Sequence, residues 1–151
     1  MATTLTPVTQ ERIEAQLDAF NLKHFRSEEG LTHTAFPGLV VYFQVADFGF
    51  KASARWMATA RTETDTRALR VKANEFNRAM PLVRTHPITR DDNTTVIIIE
   101  APFFSNTGVT DEQLQAMLEF YFSAIHHIAG QLHEAFPQIE DAAATQPGSE
   151  A

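Results

Sequence analysis

The residues of this sequence that could do chemistry are its six histidines, nineteen acids and twelve bases, since it contains no cysteine. Without cysteine there are no disulfides, no thiolate nucleophiles and no Cys-ligated metal sites. No serine lies in a G-x-S-x-G pattern, and the six glycines are isolated. A nucleophile elbow, a phosphate-binding loop and a dinucleotide fingerprint are therefore all missing. The sequence predicts a protein that is not an enzyme.

The histidines have spacings that do not favour a metal site. His126 and His133 share a helix face, but two helical turns separate them by about 10.5 Å, which is too far for one ion. His24 and His33 flank a predicted hairpin, where they would point to opposite faces of the sheet. His86 stands alone. We interpret these histidines as surface residues, and we expect no metal and no cofactor.

The carboxylates do not form a general acid and base pair either. The pairs Glu28-Glu29 and Asp91-Asp92 fall in predicted turns, and adjacent turn residues do not converge on a substrate. Glu100 is different because it lies in an apolar strand. We expect Glu100 to pair with an arginine such as Arg84 or Arg55.

The basic residues are concentrated in one part of an acidic chain. The net charge is −7, which argues against nucleic acid or an anionic membrane as the partner. Residues 51–90 hold nine basic and three acidic residues, a net charge of +6, so the remainder carries −13. Two interpretations stay open. The bases form a solvated face paired with acids elsewhere, or they form a patch that binds an acidic partner or a small anionic ligand.

Part of that patch lies at the end of a predicted helix, in the sequence Asn74-Glu-Phe-Asn-Arg78. Asn and Arg late in a helix can bond the last free carbonyls, which is a structural role. Exposed in a groove, the same residues could recognise a peptide backbone or a carboxylate, with Arg78 supplying the charge. The candidate binding residues are Arg55, Arg70, Asn74, Asn77, Arg78 and Arg84.

Hydrophobic periodicity predicts the order α-β-β-β-β-α-β-β-α. The first helix is expected from Thr6-Pro7 to Leu22, the second from a cap at Asp65 or Thr66 to Pro81, and the third from a Thr110 capping box to about Ala135. The strands are expected at 24–27, 31–36, 39–46, 50–60, 82–90 and 95–104.

Alternation is clearest at residues 50–60, where Phe, Ala, Ala, Trp and Ala face one way and mostly polar residues face the other. This pattern is typical of an antiparallel strand with one wet face. The sequence therefore predicts an α+β fold, an antiparallel sheet meander with flanking helices. We expect one domain over residues 1–137 and a disordered tail over 138–151.

Two of the strands, Leu39–Ala46 and Thr95–Phe104, carry apolar residues on both faces. Either a helix layer cannot cover them and they form a self-association surface, or they are central strands enclosed within the monomer. The candidate self-association residues are Val40, Tyr42, Ile97, Ile99 and Phe120.

Five features of the sequence carry a resemblance to a known family. They are the order of elements, the Glu28-Glu29-Gly30 hairpin, the FKASARWMATA strand, the N-x-x-N-R helix end and the NTGVTDEQLQAML helix entry. Together they resemble the YbjN family of bacterial proteins. The resemblance spans roughly residues 8–136. It implies a sensory transduction regulator with a fold similar to the class I type III secretion chaperones, which dimerise and bind protein segments. It implies no catalytic residues.

The function expected from the sequence is that of a non-enzymatic interaction protein: an adaptor, a chaperone-like protein or a regulatory module. We expect it to bind a protein partner and to form a homodimer. The N-terminus lacks a basic and apolar leader pattern, and no apolar run reaches the ~20 residues of a membrane span, so a cytoplasmic location is expected. The alternative hypothesis is a sensor of small anionic ligands that uses residues 51–90.

Overall fold

The chain folds into one six-stranded sheet with three helices, in the predicted order. The computed structural model describes residues 4–139. The helices are α1 (Gln10–Ala19), α2 (Glu63–Ala79) and α3 (Asp111–Ala135), and the strands are β1 (Phe25–Arg26), β2 (Thr32–Phe36), β3 (Leu39–Ala46), β4 (Gly49–Ala60), β5 (Arg84–Thr89) and β6 (Thr95–Phe104).

The sheet is antiparallel throughout, with spatial order β1-β2-β3-β4-β6-β5. The first four strands form the predicted meander. The chain then crosses through α2 to the far edge, where β5 lies, and β6 returns between β5 and β4. Because β4 and β5 run parallel with β6 between them, α2 acts as a crossover helix and must pack on one face of the sheet.

Hydroxyl side chains cap all three helices, although two caps differ from the predicted residues. Thr110 forms the expected capping box with Gln113. The helix α1 begins after Thr9 rather than at Thr6, because Thr6 pairs with Val109 in an extended bridge. The helix α2 begins after Thr62, three residues before the earlier of the two predicted caps. A cap residue does not belong to the apolar stripe of its helix, so the hydrophobic pattern predicts the first residue of the helix only approximately.

The first hairpin has the geometry that its sequence predicts. Ser27 and Leu31 close a three-residue loop, and Gly30 takes a φ of +84°. That left-handed conformation favours glycine, because a side chain there would be strained. Phe25 pairs with His33, as expected from this loop length.

The core lies between the helices and one face of the sheet. In β4 the residues predicted to face inward are all buried: Phe50, Ala52, Ala54, Trp56 and Ala58. The small alanines allow α3 to lie close, and the Tyr121 hydroxyl donates a buried hydrogen bond of 2.7 Å to the Ile99 carbonyl. Burial in this core raises the pKa of Tyr121.

The helix layer is fixed at its rim by an ion pair between α1 and the first hairpin. Arg26 donates two hydrogen bonds of 2.9 Å to the Glu14 carboxylate. These bonds, helped by the Thr32 hydroxyl against the opposing effect of burial, lower the pKa of Glu14 to about 2.

The packed chain continues past the predicted boundary at residue 137. Ile139 is 2% exposed and belongs to the core, and Gln138 donates a hydrogen bond of 3.2 Å to Asp65. The first two residues of the predicted tail are therefore part of the fold. The other residues of that tail, 140–151, lie outside the described residues.

None of the three helices, judged over residues 4–139, is long and apolar enough to cross a membrane.

Candidate functional site

Within residues 4–139, one face of the sheet has no helix on it. The helices α1, α2 and α3 all pack on the face that carries Ala54, Ile97, Ile99 and Thr85. We call the opposite face the open face, and it consists of the alternate residues of each strand. Its members with large exposed apolar side chains are Phe25, Tyr42, Met57, Ile88 and Phe104.

The strand register arranges the open face into rows that run across the sheet. One row contains Phe25, His33, Tyr42, Ser53, Glu100 and Arg84, one residue from each strand. The rings of Phe25 and His33 lie 5.9 Å apart, and those of His33 and Tyr42 lie 5.2 Å apart. One half of this row is therefore aromatic and the other half is polar.

Glu100 is the acid of the open face, and its partners differ from those predicted. Lys51 and His86 each lie 3.2 Å from its carboxylate, and Ser53 donates a hydrogen bond of 2.9 Å. Arg84 stands opposite Glu100 in the register, but its guanidinium points back to α2. Burial favours the neutral carboxyl, but the hydrogen bonds from Ser53 and Lys51 outweigh it and lower the pKa of Glu100.

Arg55 lies at the centre of the open face, and the described part of the chain offers its Nε atom no hydrogen-bond partner. It stands on β4 between Val40 of β3 and Ile98 of β6. Its Nε atom is buried and makes no hydrogen bond within residues 4–139. Burial lowers the pKa of Arg55, and the neighbouring charge of Arg90 lowers it further. This arginine is therefore a partly desolvated cation next to apolar side chains.

The other predicted binding residues gather on the helix side of the sheet. Asn74, Asn77, Arg78 and Arg84, together with exposed Val71, line an open groove of about 650 Å³ between α2 and β5. Arg78 makes no ion pair or hydrogen bond in the described part of the chain. The structure thus brings four of the six predicted residues together and leaves out Arg55 and Arg70.

Two members of this groove have structural roles. Arg84 donates to the carbonyls of Met80 and Val83, both at 3.2 Å, at the end of α2. The Asn77 amide accepts from the Thr85 N–H at 2.7 Å and donates to the Thr85 carbonyl at 3.0 Å. The carbonyl capping expected of Arg78 is thus performed by Arg84.

Arg70 lies farther along α2, where it bonds the Thr89 hydroxyl at 2.8 Å. That hydroxyl contacts Thr95, which in turn contacts Thr66 of α2, each at 3.0 Å. Arg70 therefore takes part in a threonine network that fastens α2 to the sheet.

The predicted self-association residues do not form one surface. Ile97 and Ile99 are 0% exposed, because they face the helix layer, so their assignment to a surface is wrong. Val40 and Tyr42 lie on the open face. Phe120 is 43% exposed, but it lies on α3, on the other side of the molecule. The strand β6 is thus an interior strand, paired on both sides, whose odd-numbered residues are enclosed.

Several open-face residues escaped the sequence prediction, among them His33, Met57, Ile98 and Phe104. An apolar run has no visible alternation, so Val96–Ile99 by itself does not say which residues face the helices. Glu100 is the residue from which the orientation of this strand could have been predicted. Side chains two apart share a face, so a half-exposed acid at 100 places Ile98 beside it.

Among residues 4–139, no group of three or more histidines or acids is arranged to hold a metal ion. Of the paired acids in the turns, Asp92 has a local structural role, since its carboxylate accepts hydrogen bonds from the Thr94 N–H and hydroxyl.

Comparison with known proteins identifies the family. A family model described as "Putative bacterial sensory transduction regulator", YbjN, matches residues 9–134. None of the curated proteins compared with this sequence matches it significantly.

Two solved structures are similar to this chain. A crystal structure of YbjN, titled "a putative transcription regulator from E. coli", has a TM-score of 0.74 at 16% identity, covering 87% of this chain and 96% of that one. An uncharacterized protein from Methanothermobacter thermautotrophicus has a TM-score of 0.46 at 16% identity, covering 85% of this chain and 99% of that one. The first likeness shows a shared fold. The expected similarity to type III secretion chaperones stays a prediction. Since the family model spans most of the sequence, the chain belongs to the YbjN family.

Proposed function

We propose that this chain is a non-enzymatic regulatory or adaptor module that binds another protein through the open face of its sheet. The observation that carries the proposal is the open face itself, where Phe25 is 61% and Phe104 is 72% exposed. Exposed apolar residues grouped on one side of a monomer are typical of an interaction surface. The family description, which names a regulator, supports the same function.

The edges of the sheet favour binding through a face rather than by strand addition. The Asn77 side chain occupies both backbone groups of Thr85 that point away from β6. Two residues farther along the same edge, Pro87 has no N–H to donate. The strand at the other edge, β1, is only two residues long. A partner strand would find few free backbone groups, so a partner must contact side chains.

The absence of cysteine allows a direct test of this proposal. Ala35 on the open face and Ala116 on the outer side of α3 are both exposed alanines. Each is replaced by cysteine, and the purified variants are labelled with the same photo-crosslinker and illuminated in an extract of the source cells depleted of the natural protein. We expect Ala35→Cys to form a discrete adduct with another protein, and Ala116→Cys to form none.

Equal adducts at both positions, or none at Ala35→Cys, would reject the open face as the binding surface. An adduct with twice the 16.9 kDa mass would mean that a second copy of the chain occupies this face. The predicted homodimer and cytoplasmic location remain proposals, checked by light scattering and by fractionation of cells.

A small-anion sensor is the second candidate, favoured by the groove between α2 and β5. Arg78 has no partner there, and Asn74 is exposed beside it. A ligand that binds the folded chain raises its melting temperature by mass action. The sensor hypothesis expects nucleotides, phosphates or carboxylates at millimolar concentration to stabilise the protein, and Arg78→Glu to abolish that effect. No stabilisation by any of them would reject it.

A further inference from the structure

We propose that the open face binds an acidic segment of another protein, with a side-chain carboxylate of that segment held by the guanidinium of Arg55. This inference rests on the proposed function and specifies the chemistry of the partner. The recognised segment carries Asp or Glu between apolar residues.

The position of Arg55 places it at the middle of the surface a partner would cover. β4 is one of the two central strands in the order of six, and the row through Arg55 contains Ala35, Val40, Ile98 and His86. Exposed Tyr42 and Met57 lie in the neighbouring rows. A charge that is surrounded by apolar contact area has the arrangement of a central anchor residue in an interface.

The hydrogen-bonding state of Arg55 shows what is missing. A buried guanidinium N–H without an acceptor is unfavourable, and such groups are nearly always satisfied. The Nε atom of Arg55 has no acceptor within the described residues. Burial and Arg90 both act against its charge. A carboxylate from outside would satisfy the donor and compensate the charge, and guanidinium groups bind carboxylates with two parallel hydrogen bonds.

Among residues 4–139, no acid supplies that carboxylate. Glu100, which lies two strand positions away from Ile98 on the open face, is occupied by Lys51, His86 and Ser53. The cation Lys51 is therefore already paired with an internal acid. Arg55 differs from Lys51 because no acid of residues 4–139 lies opposite it, and we assign that charge to another molecule.

The charge of the open face also argues against a second copy as the occupant. The strand residues of this face include the cations Lys51, Arg55 and Arg84, against one acid, Glu100. Two copies placed face to face would bring these like charges together, which costs free energy in a desolvated interface. An acidic segment reverses the sign of that interaction, so charge complementarity favours it.

The test begins with a displayed library of short random peptides selected against the immobilised full-length chain. Enriched peptides are synthesised in two forms, one with the selected Asp or Glu and one with Asn or Gln in its place. We expect the enriched peptides to carry an acid flanked by apolar residues. We expect the amide form to bind at least about tenfold more weakly, since a hydrogen bond to a charged group contributes about that much.

Variants of the chain then test whether Arg55 is the residue that binds the carboxylate of the peptide. Arg55→Glu should bind the acidic peptide weakly and prefer a form with Lys at the same position. Arg67→Glu makes the same charge change on the exposed side of α2 and should leave peptide binding unchanged. Arg55→Met should lose the distinction between acid and amide peptides. It should also melt at a higher temperature than the natural chain, because it removes an unpaired, partly buried cation.

The outcomes separate this inference from the proposed function. Peptides whose binding depends on Tyr42 but not on the charge at position 55 would overturn the role of Arg55 and leave the open face as the binding surface. Equal binding of acid and amide forms would also overturn it. Peptides that depend on neither residue would overturn both proposals. The melting temperature of each variant shows whether it is folded.

Discussion

The two faces of the sheet differ in how their side chains are satisfied. On the covered face, the apolar residues pack under helices, and hydroxyls such as that of Thr34 are hydrogen-bonded, although Thr85 Oγ1 makes no hydrogen bond within residues 4–139. On the open face, apolar and charged residues alternate across the rows, and the Arg55 Nε atom has no hydrogen-bond partner within residues 4–139. The difference indicates that the covered face maintains the fold and that the open face is available to bind another molecule.

Substitution of two adjacent isoleucines should give the largest difference in stability between the two faces. Ile97 is 0% exposed under the helices, whereas Ile98 lies half-buried on the open face. Ile97→Ala should lower the free energy of unfolding by about 2–5 kcal/mol, because it leaves a cavity in the core. Ile98→Ala should lower it by about 1 kcal/mol or less. Urea denaturation measures both, and equal losses would contradict the assignment of the faces.

Two asparagines of α2 test the closed sheet edge. Asn77→Ala removes both hydrogen bonds to the Thr85 backbone and should destabilise the chain by about 1–3 kcal/mol. Asn74→Ala is the matched control, because Asn74 is exposed and both changes have the same gain in helix propensity. Thermal denaturation compares them. If Asn77→Ala were as stable as Asn74→Ala, the side chain would not be needed to close this edge.

The chain has two tyrosines, one for each face. Tyr121→Phe removes the buried hydrogen bond to the Ile99 carbonyl and should lower the free energy of unfolding by about 1 kcal/mol. Tyr42→Phe removes an exposed hydroxyl and should change the free energy of unfolding very little. Denaturation curves of the two variants should therefore separate, and coincident curves would show that the hydroxyl of Tyr121 does not contribute.

The smallest expected effect is the change in the free energy of unfolding as the pH is lowered. Glu14 has a pKa of about 2 in the folded chain, below the ordinary value of 4.5. Its contribution is present above pH 4.5 and is lost as the pH falls towards 2. Since its partner Arg26 is half-exposed, the contribution is about 1 kcal/mol or less.

The variant Glu14→Gln tests this contribution, since its stability should fall less between pH 4.5 and pH 2 than that of the natural chain. Glu100→Gln on the open face is the comparison. The pKa of Glu100 is also lowered, so its stabilising effect is likewise lost in acid. Denaturation midpoints measured across this range give both effects, and an unchanged acid response in Glu14→Gln would contradict the role of its ion pair with Arg26.

Local patterns in the sequence predicted most of the fold. The capping box at Thr110, the hairpin at Gly30 and the inward residues of β4 all follow from interactions within a few residues of each other. The candidate site was predicted less well. The pattern grouped Arg55 with Arg78, but β4 holds Arg55 on the open face, while α2 carries Arg78 on the helix side.

The sequence by itself determined the order of the elements, the wet and dry sides of β4 and the absence of cysteine chemistry. Those properties depend on residue type and on spacing along the chain. The tertiary structure decided which side of β6 is enclosed, which base Glu100 binds and that Arg55 pairs with no acid of residues 4–139. These properties depend on strand register and on helices packing on one face, which bring together residues far apart in sequence.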